Sequence, residues 1–189
     1  MNSLEIAGVI SGIVAVWLTT RQKIWCWPIG IISVLLFVVV FFRARLYAAM
    51  GLQIIYVGLA LYGWYAWTHP DGQDGPLRVS RTPSRILGIA GAAGFVATAG
   101  LGLWLSYRTN EALPIADAGT TSFSLVAQWM QTRKWLENWW LWIAVDVLYV
   151  GIYVAKGLFL TAGLYAVFLA LAIQGARSWR RSLAAEPAG

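Results

Sequence analysis

Cysteine and histidine are almost absent from this chain, and their scarcity excludes several kinds of chemistry. Cys26 is the one cysteine and His69 the one histidine among 189 residues. No disulfide can form within the chain, and a zinc site built from His and Cys lacks ligands. Serine, cysteine and metalloproteases need partner residues that this composition does not supply. We expect Cys26 to be a packing residue and His69 to be solvated.

Charged residues are scarce as well. Only 12% of the residues are charged, 59% are apolar, and the mean hydropathy is +0.65. A soluble domain of this size carries more charge. The net charge is +6, but the basic residues stand in ones and twos at the ends of apolar runs. This pattern indicates membrane topology signals and contacts with the lipid bilayer rather than nucleic acid. We predict no cofactor, because no P-loop or other nucleotide-binding motif occurs.

The N-terminal segment gives no sign of a secretory leader. Residues 1–5 lack the positive charge of a signal peptide, so we expect no cleaved leader.

An internal repeat is the most informative feature. When the sequence is shifted by 112 positions, residues 14–67 align with 126–179 without a gap, and 16 of the 54 pairs are identical. The identical pairs include Trp17/Trp129, Arg21/Arg133, Trp27/Trp139, Gly51/Gly163, Gly63/Gly175 and Trp67/Trp179. Duplicated helical units in a membrane are typical of transporters, which bind a small solute between the repeats.

Apolar runs of membrane-spanning length predict seven helices. We place them at about residues 4–20, 24–42, 46–67, 84–106, 115–132, 138–155 and 158–177. Thr82 and Pro83 predict an N-cap and a first helical residue for helix four. Helix five is interrupted by polar residues, so either it is buried in the bundle or its first turn lies outside the hydrocarbon.

The predicted fold is an all-α membrane protein of seven transmembrane helices, arranged as parallel three-helix repeats in a 3+1+3 order. The single domain, 1–189, contains repeat one (about 4–67), a linker helix (about 84–106) and repeat two (about 115–179). Because a three-helix unit has an odd number of spans, the linker helix restores the orientation of the second unit. With seven spans, one side of the membrane holds ten Lys and Arg and the other holds four. The positive-inside rule then puts the N-terminus in the periplasm and the C-terminus in the cytoplasm.

Helix six carries the best candidate for a binding site. At 100° per residue, Trp135, Trp139, Trp142, Asp146 and Tyr153 lie within about 60° of one another. Helix three supplies an opposing wall of polar and aromatic side chains. The predicted substrate-binding residues are Gln53, Tyr56, Trp135, Asn138, Trp139, Trp142, Asp146 and Tyr149. Aromatic rings with an embedded carboxylate and carboxamide suit a flat, polar, cationic ring.

Simpler roles compete with this interpretation. A one-sided interfacial belt or ordinary packing explains Trp17, Trp25, Trp67, Trp129 and Trp179. Gln53 and Asn138 would also serve as hydrogen-bonding glue between helices, and Asp146 as part of a buried network. The sequence alone leaves these alternatives open.

The segment Trp135-x-x-Asn138-Trp139-x-x-Trp142-x-x-x-Asp146 resembles the helix-six signature of the nicotinamide riboside (PnuC-type) vitamin transporters, the NMN-transporter-like family. Further resemblance lies in Trp25-Cys-Trp-Pro-Ile-Gly30, Leu61-Tyr-Gly-Trp-Tyr-Ala-Trp67 and Tyr165-x-x-Phe168. It implies a fold related to the SWEET proteins, a homotrimer in the bacterial inner membrane, and uptake of nicotinamide riboside by facilitated diffusion. It also implies that cytoplasmic phosphorylation traps the vitamin for NAD synthesis.

Several alternatives remain open at this stage. The family resembled also contains thiamine and riboflavin carriers, and a vitamin-binding membrane subunit without transport of its own fits the same features. An intramembrane enzyme is disfavoured because the chain offers no nucleophile–base set. Coupling to an ion gradient has no evident basis in the sequence.

Overall fold

The computed structural model describes residues 3–70, 76–108 and 113–185. Seven helices make up the fold: α1 (Ser3–Thr20), α2 (Cys26–Arg43), α3 (Tyr47–Thr68), α4 (Ser84–Arg108), α5 (Pro114–Thr132), α6 (Asn138–Ala155) and α7 (Phe159–Ala185). The predicted all-α fold of seven helices is confirmed. The largest difference is at the end of α7, which continues to Ala185 rather than stopping at 177. The added turns contain arginine and alanine, which favour helix outside the membrane as well as inside it.

Six of the seven helices, all but α5, are long and apolar enough to cross a membrane. The chain is therefore a multi-pass membrane protein. Helix α5 packs against α3, α4 and α6 and buries polar residues such as Thr120, Ser122 and Ser124. Most of its polar residues thus face protein rather than lipid, as the first of the two alternatives for helix five requires, while Asp117 in the first turn is exposed, as the second requires.

The predicted N-cap of α4 is wrong. Thr82 donates a hydrogen bond from its hydroxyl to Oε2 of Glu137 at 2.7 Å, and its backbone N–H donates to the same oxygen at 2.7 Å. The first helical hydrogen bond of α4 runs from the N–H of Leu87 to the carbonyl of Pro83. A tertiary contact therefore takes the hydroxyl that local sequence assigned to the cap. The turn-forming residues between α3 and α4, at 69–76, lie partly outside the described residues.

The segment before α4 is tied to the turn before α6. Ser80 donates its N–H to the carbonyl of Lys134 at 3.1 Å and accepts from the N–H of Leu136 at 2.9 Å. Together with the Thr82–Glu137 contacts, these bonds fix the loops at 76–83 and 133–137 to each other. The two basic loops therefore lie at the same end of the bundle.

The two repeats run in the same direction and exchange equivalent hydrogen bonds. The indole N–H of Trp67 donates to the carbonyl of Gln131 at 3.3 Å, and that of Trp179 donates to the carbonyl of Thr19 at 3.0 Å. Trp67 is equivalent to Trp179, and Thr19 to Gln131, by the shift of 112 residues. Each third helix thus bonds to the first helix of the other repeat. This reciprocity confirms parallel repeats related by an approximate two-fold axis along the bundle.

A buried tryptophan packs directly against a glycine in each repeat. Trp27 lies directly against Gly63, and a Cβ at Gly175 would come within 2.5 Å of the ring of Trp139. Only a residue without a side chain lets the indole approach the helix backbone so closely. The identity of Gly63 and Gly175 between the repeats therefore has a packing cause.

Candidate functional site

A cavity of about 360 Å³ lies between the two repeats, within the size range of small-molecule pockets. All helices except α4 contribute to its lining. Most lining residues occur as equivalent pairs from the two repeats, such as Trp27/Trp139, Gly30/Trp142 and Val34/Asp146. The cavity therefore lies on the approximate two-fold axis.

The two sides of the cavity differ in chemistry although they are related by the repeat. On the side formed by α1 and α2, five lining positions are apolar: Gly12, Val16, Gly30, Val34 and Phe37. Their counterparts on α5 and α6 are Ser124, Gln128, Trp142, Asp146 and Tyr149. Divergence of the repeats has thus concentrated hydrogen-bonding groups, a charge and an indole on one side, so a bound molecule meets two different surfaces.

Asp146 supplies the one charged side chain in the described lining of the cavity. It is buried, with 5% of its surface exposed, and no described residue pairs with its carboxylate through a hydrogen bond or an ion pair. A buried carboxylate without a protein partner is costly, and a cation entering the cavity would offset that cost. In its ionised form this carboxylate would favour a positively charged group in the cavity.

Carboxamides and hydroxyls line the same cavity as this carboxylate. Tyr56 on α3 and Ser124 on α5 share a hydrogen bond between their hydroxyls at 2.5 Å, which links the two repeats. Gln53 and Gln128 also line the cavity, and no described residue bonds to either carboxamide. Both amides are therefore available to bind the polar edges of a ligand.

Aromatic clusters lie at both ends of the cavity. The tryptophan cluster, Trp27, Trp67, Trp139 and Trp179, belongs to the buried core at the end of the bundle where α1 and α5 finish. The tyrosine cluster, Tyr149, Tyr153 and Tyr165, lies toward the other end, with the rings of Tyr149 and Tyr165 only 4.5 Å apart. Trp139 and Tyr149 are about 15 Å apart along α6 at 1.5 Å per residue. The cavity is thus bounded by indoles at one end and phenols at the other.

Six of the eight predicted site residues line the cavity: Gln53, Tyr56, Trp139, Trp142, Asp146 and Tyr149. Trp135 and Asn138 do not. Because α6 begins at Asn138, Trp135 lies in the preceding turn, where the helical spacing used for the prediction does not apply. It packs against Trp129 with ring centroids 5.2 Å apart. Asn138 is fully buried and donates to the carbonyl of Trp135 at 2.5 Å.

The sequence prediction missed several lining residues. Trp27 is the repeat counterpart of Trp139, and Tyr165 and Phe168 are the counterparts of Gln53 and Tyr56. The repeat relates each of the three to a predicted site residue, although the predicted site did not include them. Gln128 had a weaker signal, the spacing of polar residues along one face of α5. No group of three or more His, Cys, Asp or Glu that would hold a metal occurs within the described ranges.

Comparison with known proteins agrees with this architecture. The family model of the nicotinamide mononucleotide transporter matches residues 2–181. The nicotinamide riboside transporter PnuC of Escherichia coli (strain K12) is 28% identical over 207 residues, covering 96% of this chain and 87% of that protein. The riboflavin/roseoflavin transporter RibM of Streptomyces davaonensis is 29% identical over 178 residues, covering 93% of this chain and 83% of that protein.

The crystal structure of the vitamin B3 transporter PnuC has the same fold, with a TM-score of 0.75 at 25% identity. The matched region covers 96% of this chain and 82% of the PnuC chain. These relatives are transporters and not enzymes, and the family match extends over almost the whole bundle. The chain is therefore a membrane transporter that belongs to the nicotinamide mononucleotide transporter family.

Proposed function

We propose that this protein carries nicotinamide riboside across the bacterial inner membrane by facilitated diffusion. The observation that carries the proposal is the unpartnered carboxylate of Asp146 beside the indole of Trp142, in a cavity on the axis between the repeats. Nicotinamide riboside has a planar, positively charged pyridinium ring and a ribose with free hydroxyls. Asp146 would balance the charge, and Trp142 would stack on the ring.

The carboxamides favour a ligand with several hydrogen-bonding groups. Gln53 and Gln128 lie on different helices of the two repeats and have no described partner. A nicotinamide carboxamide and two ribose hydroxyls offer donors and acceptors to both. The names of the relatives support the same ligand, since PnuC proteins of Escherichia coli and Neisseria mucosa are nicotinamide riboside transporters.

Riboflavin is the second candidate, because the relative RibM carries it. Its isoalloxazine ring is uncharged and has three fused rings, so the carboxylate of Asp146 would have no counter-charge. Thiamine is a third candidate, since it is cationic and aromatic, but it lacks the ribose hydroxyls that would use Gln53 and Gln128. The charge of the site therefore argues against riboflavin, and its carboxamides favour the riboside over thiamine.

Transport would occur as the two repeats rock about their axis. The tryptophan cluster closes one end of the cavity, so release on that side requires the indoles to separate. The reciprocal bonds of Trp67 and Trp179 to the opposite repeat would break in the same movement. This cycle needs no ion gradient. A cytoplasmic kinase that phosphorylates the riboside would trap it for NAD synthesis.

The proposed orientation puts the tryptophan cluster on the cytoplasmic side. The loops at 76–83 and 133–137 and the end of α7 are basic and lie at that end of the bundle. The positive-inside rule then leaves the N-terminus in the periplasm. A homotrimer is proposed from the family resemblance, and light scattering of the purified protein tests it.

Proteoliposomes test the function directly. Protein reconstituted without any ion gradient should equilibrate labelled nicotinamide riboside, with weaker or no uptake of thiamine and riboflavin. Asp146→Asn should weaken binding of the cationic riboside about tenfold or more, because the attraction between the carboxylate and the pyridinium charge is lost. Binding of an uncharged reduced analogue should be almost unaffected. Uptake that requires a proton or sodium gradient excludes facilitated diffusion. Binding without any exchange favours the vitamin-binding subunit.

A further inference from the structure

A second cavity of about 520 Å³ lies outside the transport site, in a groove where the end of α1 meets α7. Three arginines line it: Arg21, from the turn after α1, and Arg177 and Arg181, one helical turn apart on α7. Ser178 and Ser182 add hydroxyl groups between them. We call this feature the arginine groove.

No described carboxylate pairs with any of the three arginines. Three like charges around one groove repel one another, so the arrangement is unfavourable until an anion binds. The guanidinium of Arg21 lies 4.7 Å from the ring centre of Trp17, and this contact holds the side chain in place. The groove therefore presents three cationic donors, one of them held in place, to an anion from outside the chain.

The internal repeat does not by itself produce the arginine groove. The repeats meet at two equivalent seams, where α1 contacts α7 and where α5 contacts α3. The second seam has Arg133 in place of Arg21, but Tyr65 in place of Arg177. There Arg133 stacks on Tyr62, 5.5 Å from the ring centre. Helix α3 also ends at Thr68, so it has no counterpart of the turn that bears Arg181. Only one of the two seams has acquired the arginines.

The groove changes from polar to apolar along its length. Ala170 and Ile173 line it on the membrane side of the arginines. At 1.5 Å per residue, Ala170 is about 16 Å below Arg181 along α7. Trp17, which is 39% exposed, lies beside Arg21, as expected at a membrane interface. A ligand that fills the groove is anionic at one end and apolar at the other.

We propose that the arginine groove binds the phosphate of an anionic phospholipid, with the acyl chains against Ala170 and Ile173. Because Arg21 belongs to the first repeat and Arg177 and Arg181 to the second, the bound head group bridges the seam between them. Gln22 and Ser182 already join across this seam by a hydrogen bond of 2.9 Å. The lipid therefore adds to a contact that holds the repeats together.

Native mass spectrometry of the protein titrated with phosphatidylglycerol tests this proposal. Each arginine near a membrane surface contributes about a fivefold gain in affinity, so Arg177→Gln/Arg181→Gln should bind about 30-fold more weakly. The matched control is Arg180→Gln, an exposed arginine on α7 that does not line the groove. It should bind within about twofold of the parent, since the groove keeps all its charges.

Two further arms identify the ligand. Phosphatidylcholine should bind much more weakly than phosphatidylglycerol, and glycerol phosphate, which has the head group without the chains, should not displace the lipid at equal concentration. Equal losses in Arg180→Gln and in the double variant would overturn the proposal, as would equal binding of phosphatidylcholine. Displacement by glycerol phosphate would assign the groove to a soluble phosphate and overturn the lipid. All three arginines are exposed, and unchanged melting temperatures without lipid confirm that the variants fold.

Discussion

The ring of Trp27 meets the ring of Trp67 edge to face, with centroids 5.3 Å apart and planes at 89°. The second repeat has the same distance and the same angle between Trp139 and Trp179. Trp67 and Trp179 in turn lie 6.1 Å apart across the axis. The four indoles therefore form one continuous cluster that belongs to both repeats. Any movement that opens this end of the cavity has to separate them.

The contact between glycine and indole beneath this cluster leads to the first prediction. Gly63→Ala and Gly175→Ala would each push a methyl group into a buried tryptophan, Trp27 or Trp139. Overpacking of a core costs about 1–3 kcal/mol, so each variant should unfold at a lower temperature than the parent. Thermal melting in detergent, followed by fluorescence-detected size exclusion, measures the change.

Gly51→Ala and Gly163→Ala are the matched controls for these two variants. Both glycines are also identical between the repeats, but a Cβ at either would meet nothing within 4 Å. Alanine favours a helix over glycine by about 0.5–1 kcal/mol, so the controls should be neutral or slightly more stable. Equal destabilisation in both sets would show that helix flexibility, and not indole packing, requires glycine here.

The second prediction concerns closure of the cavity by the tryptophan cluster. Trp179→Phe keeps an aromatic ring but removes the hydrogen bond to the carbonyl of Thr19. Loss of about 1 kcal/mol from the closed state should raise the open population about fivefold. Cys26, the one cysteine, lines the cavity and is buried, so its labelling by a water-soluble maleimide reports opening. We expect labelling to be about fivefold faster in the variant.

The control for this experiment is Trp140→Phe, since Trp140 is 57% exposed and lies outside the cluster. Its labelling rate should match that of the parent. If Trp179→Phe also labels at the parental rate while remaining folded, the cluster does not control access to Cys26.

The repeat explains why much of the fold was predictable. A shift of 112 residues relates Trp67 to Trp179 and Gly63 to Gly175, and each pair has the same neighbours in space. Asp146 was predicted to face the interior because a carboxylate within an apolar run is costly to expose to lipid. Such features follow from local pattern and symmetry, and so the sequence alone reveals them.

One contact distant in sequence and one local turn account for errors in the prediction. Thr82 has the residue type of an N-cap, but Glu137 takes its hydroxyl from 55 positions away. Trp135 and Asn138 fit a helical stripe only if the helix starts early, and the hydrogen bond from Asn138 to the carbonyl of Trp135 belongs to a turn instead. No local rule specifies which of two plausible partners a side chain finds after the bundle assembles.

Lys134 gives a prediction about pH, because it lies in the turn between α5 and α6 rather than within a helix. Its Nζ donates to the carbonyl of Leu77 at 2.7 Å and lies 4.3 Å from the ring centre of Trp67. Burial lowers the pKa of Lys134 from its ordinary 10.5 to about 8. Between these two values the unfolded chain binds more protons than the folded chain. The contribution of Lys134 to stability should therefore rise as the pH increases from 8 to 10.5.

Lys134→Met isolates this effect from other groups that titrate in the same range. The difference in stability between the parent and Lys134→Met, followed by their melting temperatures, should shift in favour of the parent across this window, by a free energy on the order of 1–3 kcal/mol. The difference should be constant below pH 7, where both states are protonated. A constant difference through pH 10.5 would mean that Lys134 titrates as it does in water.

Trp142 provides the sharpest test of the proposed binding mode. Its indole lines the cavity opposite Gly30, the repeat counterpart that leaves space for a flat ring, and it stands one helical turn from Asp146. Stacking of an aromatic ring on a base is worth about 1–3 kcal/mol, so Trp142→Ala should raise the dissociation constant for nicotinamide riboside about tenfold or more. Isothermal calorimetry of the purified protein measures it, with Trp140→Ala on the lipid-facing side of α6 as the control. If the dissociation constant stays the same in both variants, Trp142 does not belong to the binding site. Asp146 would then bind the ligand without an indole of α6 stacking on its ring.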